Sequence, residues 1–180
     1  MRELEVVECI QNLFLTVCKD LLESMDCNVS MTDCDPDVLM DCPIACIDAG
    51  SDDIEFMIAL QLPTPVLALT YPVGESITTI EEDRLEDWIS ELSNQLLGRL
   101  KNRLIEHDCF VNLGLPTSYF GAEVADLLSE NTHQTSYFFD VDGEICGCSI
   151  SIEVFDEALS FSVDINEDIQ LQEEGEMEFF

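Results

Sequence analysis

A carboxylate and a carboxamide stand three residues apart in the segment Glu91-Leu-Ser-Asn94. In a helix this spacing places both side chains on one face, about a turn apart, so both could reach a single partner. The carboxylate of Glu91 could hold a cation such as a lysine ammonium, and the carboxamide of Asn94 can both donate to and accept from a water molecule. Neither group is an obvious nucleophile, so a catalytic pair of this kind would position reactants rather than attack them.

The same pair has a simpler interpretation, because glutamate is abundant in this chain and an exposed polar pair on a helix is usually only a solvated surface. Gly98 follows Asn94 by about one turn. A glycine inside a long helix costs about 1 kcal/mol relative to alanine, so it indicates close packing of another backbone at that point. The spacing alone therefore leaves a functional and a structural interpretation open.

The helix that would carry this pair has the strongest helical signal in the chain. Thr78 or Thr79 offers an N-cap, and residues 81–83 are acidic, which suits the first turn because the helix dipole favours negative charge there. The spacing continues to about His107, and a second amphipathic helix is predicted over residues 4–25. The apolar positions of the first of these helices are Leu85, Trp88, Ile89, Leu92, Leu96, Leu100 and Leu104.

Strands are predicted after each long helix. They cover residues 27–31, 43–48, 53–60, 109–113, 135–141, 145–155 and 159–165. Residues 50–53 form a turn-like cluster between two of them, and Asp142-Gly143 favours a tight hairpin turn between two others. Prolines at 63, 65 and 72 leave room for at most a short helix around residues 66–71.

The two halves of the chain share one order of elements: long amphipathic helix, strand, irregular connection and two-strand hairpin. This order favours a tandem duplication and predicts an α/β domain of the α+β type, with a mainly antiparallel sheet and long amphipathic helices. We place this domain at residues 1–165. Residues 166–180 are acidic and lack periodicity, so they are predicted to form a mobile C-terminal tail.

The charge of the chain limits its partners. Six Lys and Arg residues stand against 39 Asp and Glu residues, and the formal net charge is -33. Such a surface would repel nucleic acid and anionic membranes. The first residues lack the features of a secretory signal, and no segment approaches the roughly 18 apolar residues needed to span a bilayer, so we expect a cytoplasmic protein. The nine cysteines lack the spacing of a metal or redox motif, so structural thiols and no bound cofactor are expected.

The segment from Glu91 to Gly98, continued by Arg99-Leu-Lys101-Asn-Arg103-Leu and closed by Leu115-Pro-Thr117 with Gly121, resembles the signature of the CheC/CheX/FliY chemotaxis phosphatases, CheX-like domains in particular. The resemblance implies a CheC/CheX-like fold and a phosphatase that acts on the aspartyl phosphate of CheY or a CheY-like response regulator. It implies that Asn94 aligns the attacking water and that Glu91 pairs with the regulator's active-site lysine. It also implies that the regulator, rather than this chain, binds the Mg²⁺.

Members of this family carry either one such pair or one in each half. Setting Cys27 opposite Cys109 places Asn12 opposite Asn94, but it places Cys9 opposite Glu91. One working site is therefore predicted.

Two alternatives follow from the resemblance. The domain could dock on a receiver or another signalling protein without catalysis. CheX-type members dimerise through their sheets whereas other branches are monomers, and between these we favour a homodimer.

Overall fold

The part of the chain that the structure describes contains four α-helices and a seven-stranded sheet. The computed structural model describes residues 2–72, 82–119, 124–128 and 133–155. In chain order its elements are α1 (Arg2–Glu23), β1 (Val29–Thr32), a 3-10 helix (Pro36–Leu39), β2 (Ile44–Gly50), β3 (Ile54–Gln61), α2 (Thr64–Thr70), α3 (Glu82–Ile105), β4 (Asn112–Leu113), β5 (Thr117–Tyr119), α4 (Val124–Leu127), β6 (His133–Val141) and β7 (Glu144–Val154). The predicted long helices and both hairpins are thus confirmed.

The sheet has the strand order β1-β6-β7-β3-β2, and both β4 and β5 pair with the outer side of β2. The strand pairs of the described sheet are antiparallel. The β6–β7 hairpin turns through Asp142 and Gly143 with φ angles of 52° and 93°. Positive φ at both central residues suits the twist of a two-residue hairpin, which explains why the Asp-Gly dipeptide predicted this turn.

The two halves are related by a structural repeat. The hairpins β2–β3 and β6–β7 meet through β3 and β7 at the centre, and each half sends the strand that follows its long helix to the hairpin of the other half. Both long helices end in the same way, because Asp26 and Asp108 each have a φ of 59°, three residues after the last helical residue. Asp accepts this left-handed conformation more readily than most residues do. The predicted duplicated halves are confirmed.

Both long helices contact the sheet, and one apolar core forms with them. The strand residues of that core alternate along each strand, as in Phe56, Ile58 and Leu60 of β3, because successive side chains point to opposite faces. From α1, Phe14 is fully buried with its ring 6.2 Å from that of Tyr137. The core therefore fixes α1 and α3 against the sheet and leaves their outer faces to solvent.

The structure differs from the sequence-based expectation after α3. The strand predicted at 109–113 is reduced to β4, because the amide of Cys109 donates to the carbonyl of Leu104 at the helix end and Val111 is buried in the core. Sequence periodicity predicted neither β5, nor α4, nor the 3-10 helix. The predicted N-cap at Thr78 or Thr79, Gly121, the strand at 159–165 and the tail at 166–180 lie outside the described residues.

Candidate active site on helix α3

Glu91 and Asn94 lie side by side on the solvent-exposed face of α3. Leu92 and Ser93 between them and Leu96 after them are buried, with exposed fractions of 2% for Leu92 and 0% for Ser93 and Leu96. Glu91 accepts a hydrogen bond from the side-chain amide of Gln95, with 3.1 Å between Nε2 and Oε1. The structure thus brings the two predicted site residues together on one surface.

Contacts on two sides hold the helix beneath this pair. Toward its N-terminal half, the indole Nε1 of Trp88 donates to Oγ1 of Thr70 at 3.1 Å, and its ring meets that of Tyr71 edge to face. Toward its C-terminal half, Arg99 donates to Oγ of Ser24 at 3.0 Å. The pair is therefore presented on a fixed element, as a positioning role requires.

A second contact to α1 shows how the two long helices run. Arg103 of α3 lies 4.0 Å from a carboxylate oxygen of Asp20. Because Arg99 reaches Ser24 and Arg103 reaches Asp20, residue numbers rise along α3 as they fall along α1. The helices are antiparallel and meet through their C-terminal halves, so Glu91 and Asn94 lie away from that crossing.

Gly98 does not pack against the backbone of any other described element, and the expectation that it would is wrong. Within the described part of the chain, no neighbouring element comes within 4 Å of the point where a Cβ would be built. The glycine lies about one turn beyond Asn94 on the outer side of the helix. Its cost in helix stability, about 1 kcal/mol relative to alanine, has no counterpart in close packing within the described structure.

The charge around the pair differs from that of the whole molecule. Four of the six basic residues of the chain belong to α3: Arg84, Arg99, Lys101 and Arg103. Between Trp88 and Ile105, Glu91 is the one carboxylate beside three of these cations. Arg103 also lies 3.8 Å from Glu106, so part of its charge is compensated. The C-terminal half of α3 is a cationic segment in an otherwise strongly acidic chain.

The equivalent surface of α1 lacks the same chemistry. Asn12 is exposed, as Asn94 is, but Cys9 occupies the position of Glu91. Burial raises the pKa of the Cys9 thiol to about 11, so the thiol is neutral at pH 7 and cannot replace a carboxylate. The surface of α1 therefore lacks the carboxylate of the predicted pair, and one site rather than two stays a prediction.

The segment Leu115 to Thr117 leads into β5, which contacts α3. Leu115 has an exposed fraction of 86%. In the described ranges, no three His, Cys, Asp or Glu side chains are arranged to hold a metal ion. All nine cysteines are free thiols. No helix of the described segments is both long enough and apolar enough to cross a membrane.

Solved structures with this architecture include chemotaxis proteins. The chemotaxis protein CheX from Vibrio vulnificus is similar with a TM-score of 0.68 and 14% identity, over 80% of this chain and 99% of that one. A CheC-like superfamily protein from Shewanella sp. PV-4 gives 0.64 and 16%, over 80% and 97%. A chain of the CheX–CheY–BeF3–Mg²⁺ complex from Borrelia burgdorferi gives 0.59 and 12%, over 79% and 96%.

These likenesses show that the chain has the CheC/CheX-like fold, an α+β arrangement with an antiparallel sheet, as the sequence predicted. No protein-family model matches the sequence. No curated protein matches it by sequence either.

Proposed function

We propose that this protein is a cytoplasmic phosphatase that hydrolyses the aspartyl phosphate of a CheY-like response regulator. The observation that carries the proposal is the exposed Glu91 and Asn94 pair on a fixed helix of a CheC/CheX-like fold. The solved CheX–CheY complex, a chain of which has the same fold, adds support for a receiver domain as the partner. Under this proposal the regulator binds the Mg²⁺ and this chain supplies no metal ligand.

The reaction requires little covalent chemistry from this chain. An acyl phosphate is already reactive, so a catalyst gains most by orienting the water and stabilising charge. The carboxamide of Asn94 would hold a water in line with the bond between phosphorus and the aspartyl oxygen. The water oxygen then bonds to phosphorus, the aspartate carboxylate leaves, and inorganic phosphate is released.

Glu91 would orient the docked regulator. Its carboxylate would pair with the regulator's active-site lysine, which places Asn94, about one turn away, over the phosphoryl group. The hydrogen bond from Gln95 reaches Oε1 of Glu91 and leaves the carboxylate with further acceptor capacity. A carboxylate bound by a lysine and an amide together has strong, directional contacts.

The test is the rate of phosphate release from phosphorylated receivers of the same organism, with and without this protein. We expect acceleration by the unaltered chain, loss of that acceleration with Asn94→Ala, and weaker acceleration with Glu91→Gln. Asn12→Ala on α1 is the matched control and should leave the rate unchanged. Binding without faster dephosphorylation would favour the alternative, a docking module, over the enzyme.

A homodimer also remains a proposal. It predicts a mass of about twice 20.2 kDa in solution, measured by light scattering coupled to gel filtration. A monomeric mass at micromolar concentration would contradict it.

A further inference from the structure

Next to the proposed catalytic pair, part of the α3 backbone is not covered by side chains. Asn94, Gly98 and Lys101 follow one another at spacings of four and three residues, so they share one stripe of the helix. Asn94 and Lys101 are about 10 Å apart along the helix axis, with the glycine between them. Since nothing in the described structure comes within 4 Å of a Cβ at Gly98, the helix backbone is accessible there. We call these three residues the α3 stripe.

Lys101 provides this stripe with a cation that pairs with no other described residue. Among the described residues it has no hydrogen-bond or ion-pair partner, whereas Arg99 donates to Ser24, and Arg103 lies between Asp20 and Glu106. The side chain of Lys101 is half-buried, so its stem lies along the helix surface. Its ammonium is the cation of this segment that is available to a partner.

The other half of the chain provides an internal comparison. At the offset that sets Cys27 opposite Cys109, the α1 residues opposite the α3 stripe are Asn12, Thr16 and Lys19. Thr16 fills the position of the glycine, and its hydroxyl donates to the carbonyl of Asn12 at 3.0 Å. Lys19 lies 3.9 Å from a carboxylate oxygen of Glu23.

The repeat therefore retains the asparagine and the lysine on both helices. The accessible backbone and the unpaired cation occur together on the helix that also has Glu91.

We propose that Gly98 and Lys101 extend the surface that binds the receiver domain beyond the Glu91 and Asn94 pair, along the acidic rim of the receiver's phosphorylation site. Gly98 admits the partner's backbone close to the helix, and Lys101 pairs with a carboxylate at the rim of the partner's active site. The inference rests on the proposed function. Charge favours this occupant, because a chain of net charge -33 repels an acidic partner least at a cationic segment.

Binding of a CheY-type receiver domain, activated with beryllofluoride and Mg²⁺, tests the proposal by titration calorimetry. Gly98→Gln and Lys101→Glu should each raise the Kd at least tenfold. The matched α1 variants Thr16→Gln and Lys19→Glu introduce the same side chains and the same charge change, and they should stay within twofold of the unaltered protein. In stopped-flow measurements at low salt, Lys101→Glu should also slow association, and added salt should restore part of the rate, because salt screens the repulsion that the new carboxylate introduces. Circular dichroism and thermal melting verify that all four variants are folded.

The outcomes separate docking from catalysis. Equal Kd values for the α3 and α1 variants, or no binding of any activated receiver of the same organism, would overturn the docking proposal. If both α3 variants weaken binding and the unaltered protein does not speed dephosphorylation, the docking surface stands and the phosphatase proposal fails. The dephosphorylation rate could also depend on Asn94 but stay unchanged in Gly98→Gln and Lys101→Glu, measured at receiver concentrations too low to saturate the protein. In that case the phosphatase proposal stands and the docking proposal fails.

Discussion

Replacing Gly98 by alanine should make the protein more stable. The new methyl group would meet no neighbouring element of the described structure within 4 Å, so it introduces no clash. Alanine also restricts the unfolded chain and favours the helix, which together contribute about 0.5–1 kcal/mol. For a chain of this size we therefore expect the Tm to rise by about 1–4 °C.

Urea unfolding followed by far-UV circular dichroism measures this change as a shift of the midpoint at constant slope. Gly147→Ala is a control of opposite sign. A Cβ at Gly147 in β7 would lie 2.8 Å from Cδ1 of Leu39 and 3.2 Å from Oε1 of Gln61. Both neighbours are buried and Gln61 donates to the Leu39 carbonyl, so overpacking should cost about 1–3 kcal/mol.

A loss of stability in Gly98→Ala would refute this reasoning. It would mean that another part of the molecule packs closely on α3 at that point, as the sequence pattern first indicated, and the α3 stripe would then not be open to a partner. A gain in stability would leave docking as the reason for a glycine in the middle of the helix.

Three further changes test the fold that supports the site. Burial raises the pKa of the Cys46 thiol from 9.0 to about 11, so the native protein keeps a proton that the unfolded chain loses. The free energy of unfolding should therefore fall as the pH rises from 9 to 11. Urea titrations at pH 8 and pH 10 measure this fall, which should be smaller in Cys46→Ala. Thr70→Val removes the acceptor of Trp88 and should lower that free energy by about 1 kcal/mol in the same assay, whereas no change would mean that the bond does not hold α3. Phe14→Ala leaves a cavity beside Tyr137 and should cost about 3–5 kcal/mol, and a cost below about 1 kcal/mol in thermal unfolding would contradict its core position.

The sequence predicts the elements whose signals are local. The apolar spacing of α1 and α3 reports directly on one buried face, and the Asp142-Gly143 turn reports on its own φ angles. The placement of Glu91 and Asn94 on one face of a helix could be predicted for the same reason, because it depends on the helix alone. The duplicated halves follow from the order of these local signals.

What the sequence does not predict depends on contacts between distant segments. β5 is recognisable only because its backbone pairs with β2, and its short polar run has no strand periodicity of its own. The crossing of β1 to β6 is likewise a property of the assembled sheet. The surroundings of Gly98 were predicted wrongly. A glycine in a helix indicates that a side chain is absent, but the sequence does not tell whether another part of the chain or a partner occupies that space.

The most direct test of the central claim is the decay of an aspartyl-phosphorylated CheY-type receiver in the presence of the unaltered protein and of Asn94→Ala. The proposal predicts that the unaltered protein accelerates phosphate release and that Asn94→Ala binds the receiver as tightly but leaves its decay at the spontaneous rate. Acceleration that survives Asn94→Ala would contradict the role assigned to this residue. Unchanged decay with every receiver of the same organism would contradict the phosphatase activity itself.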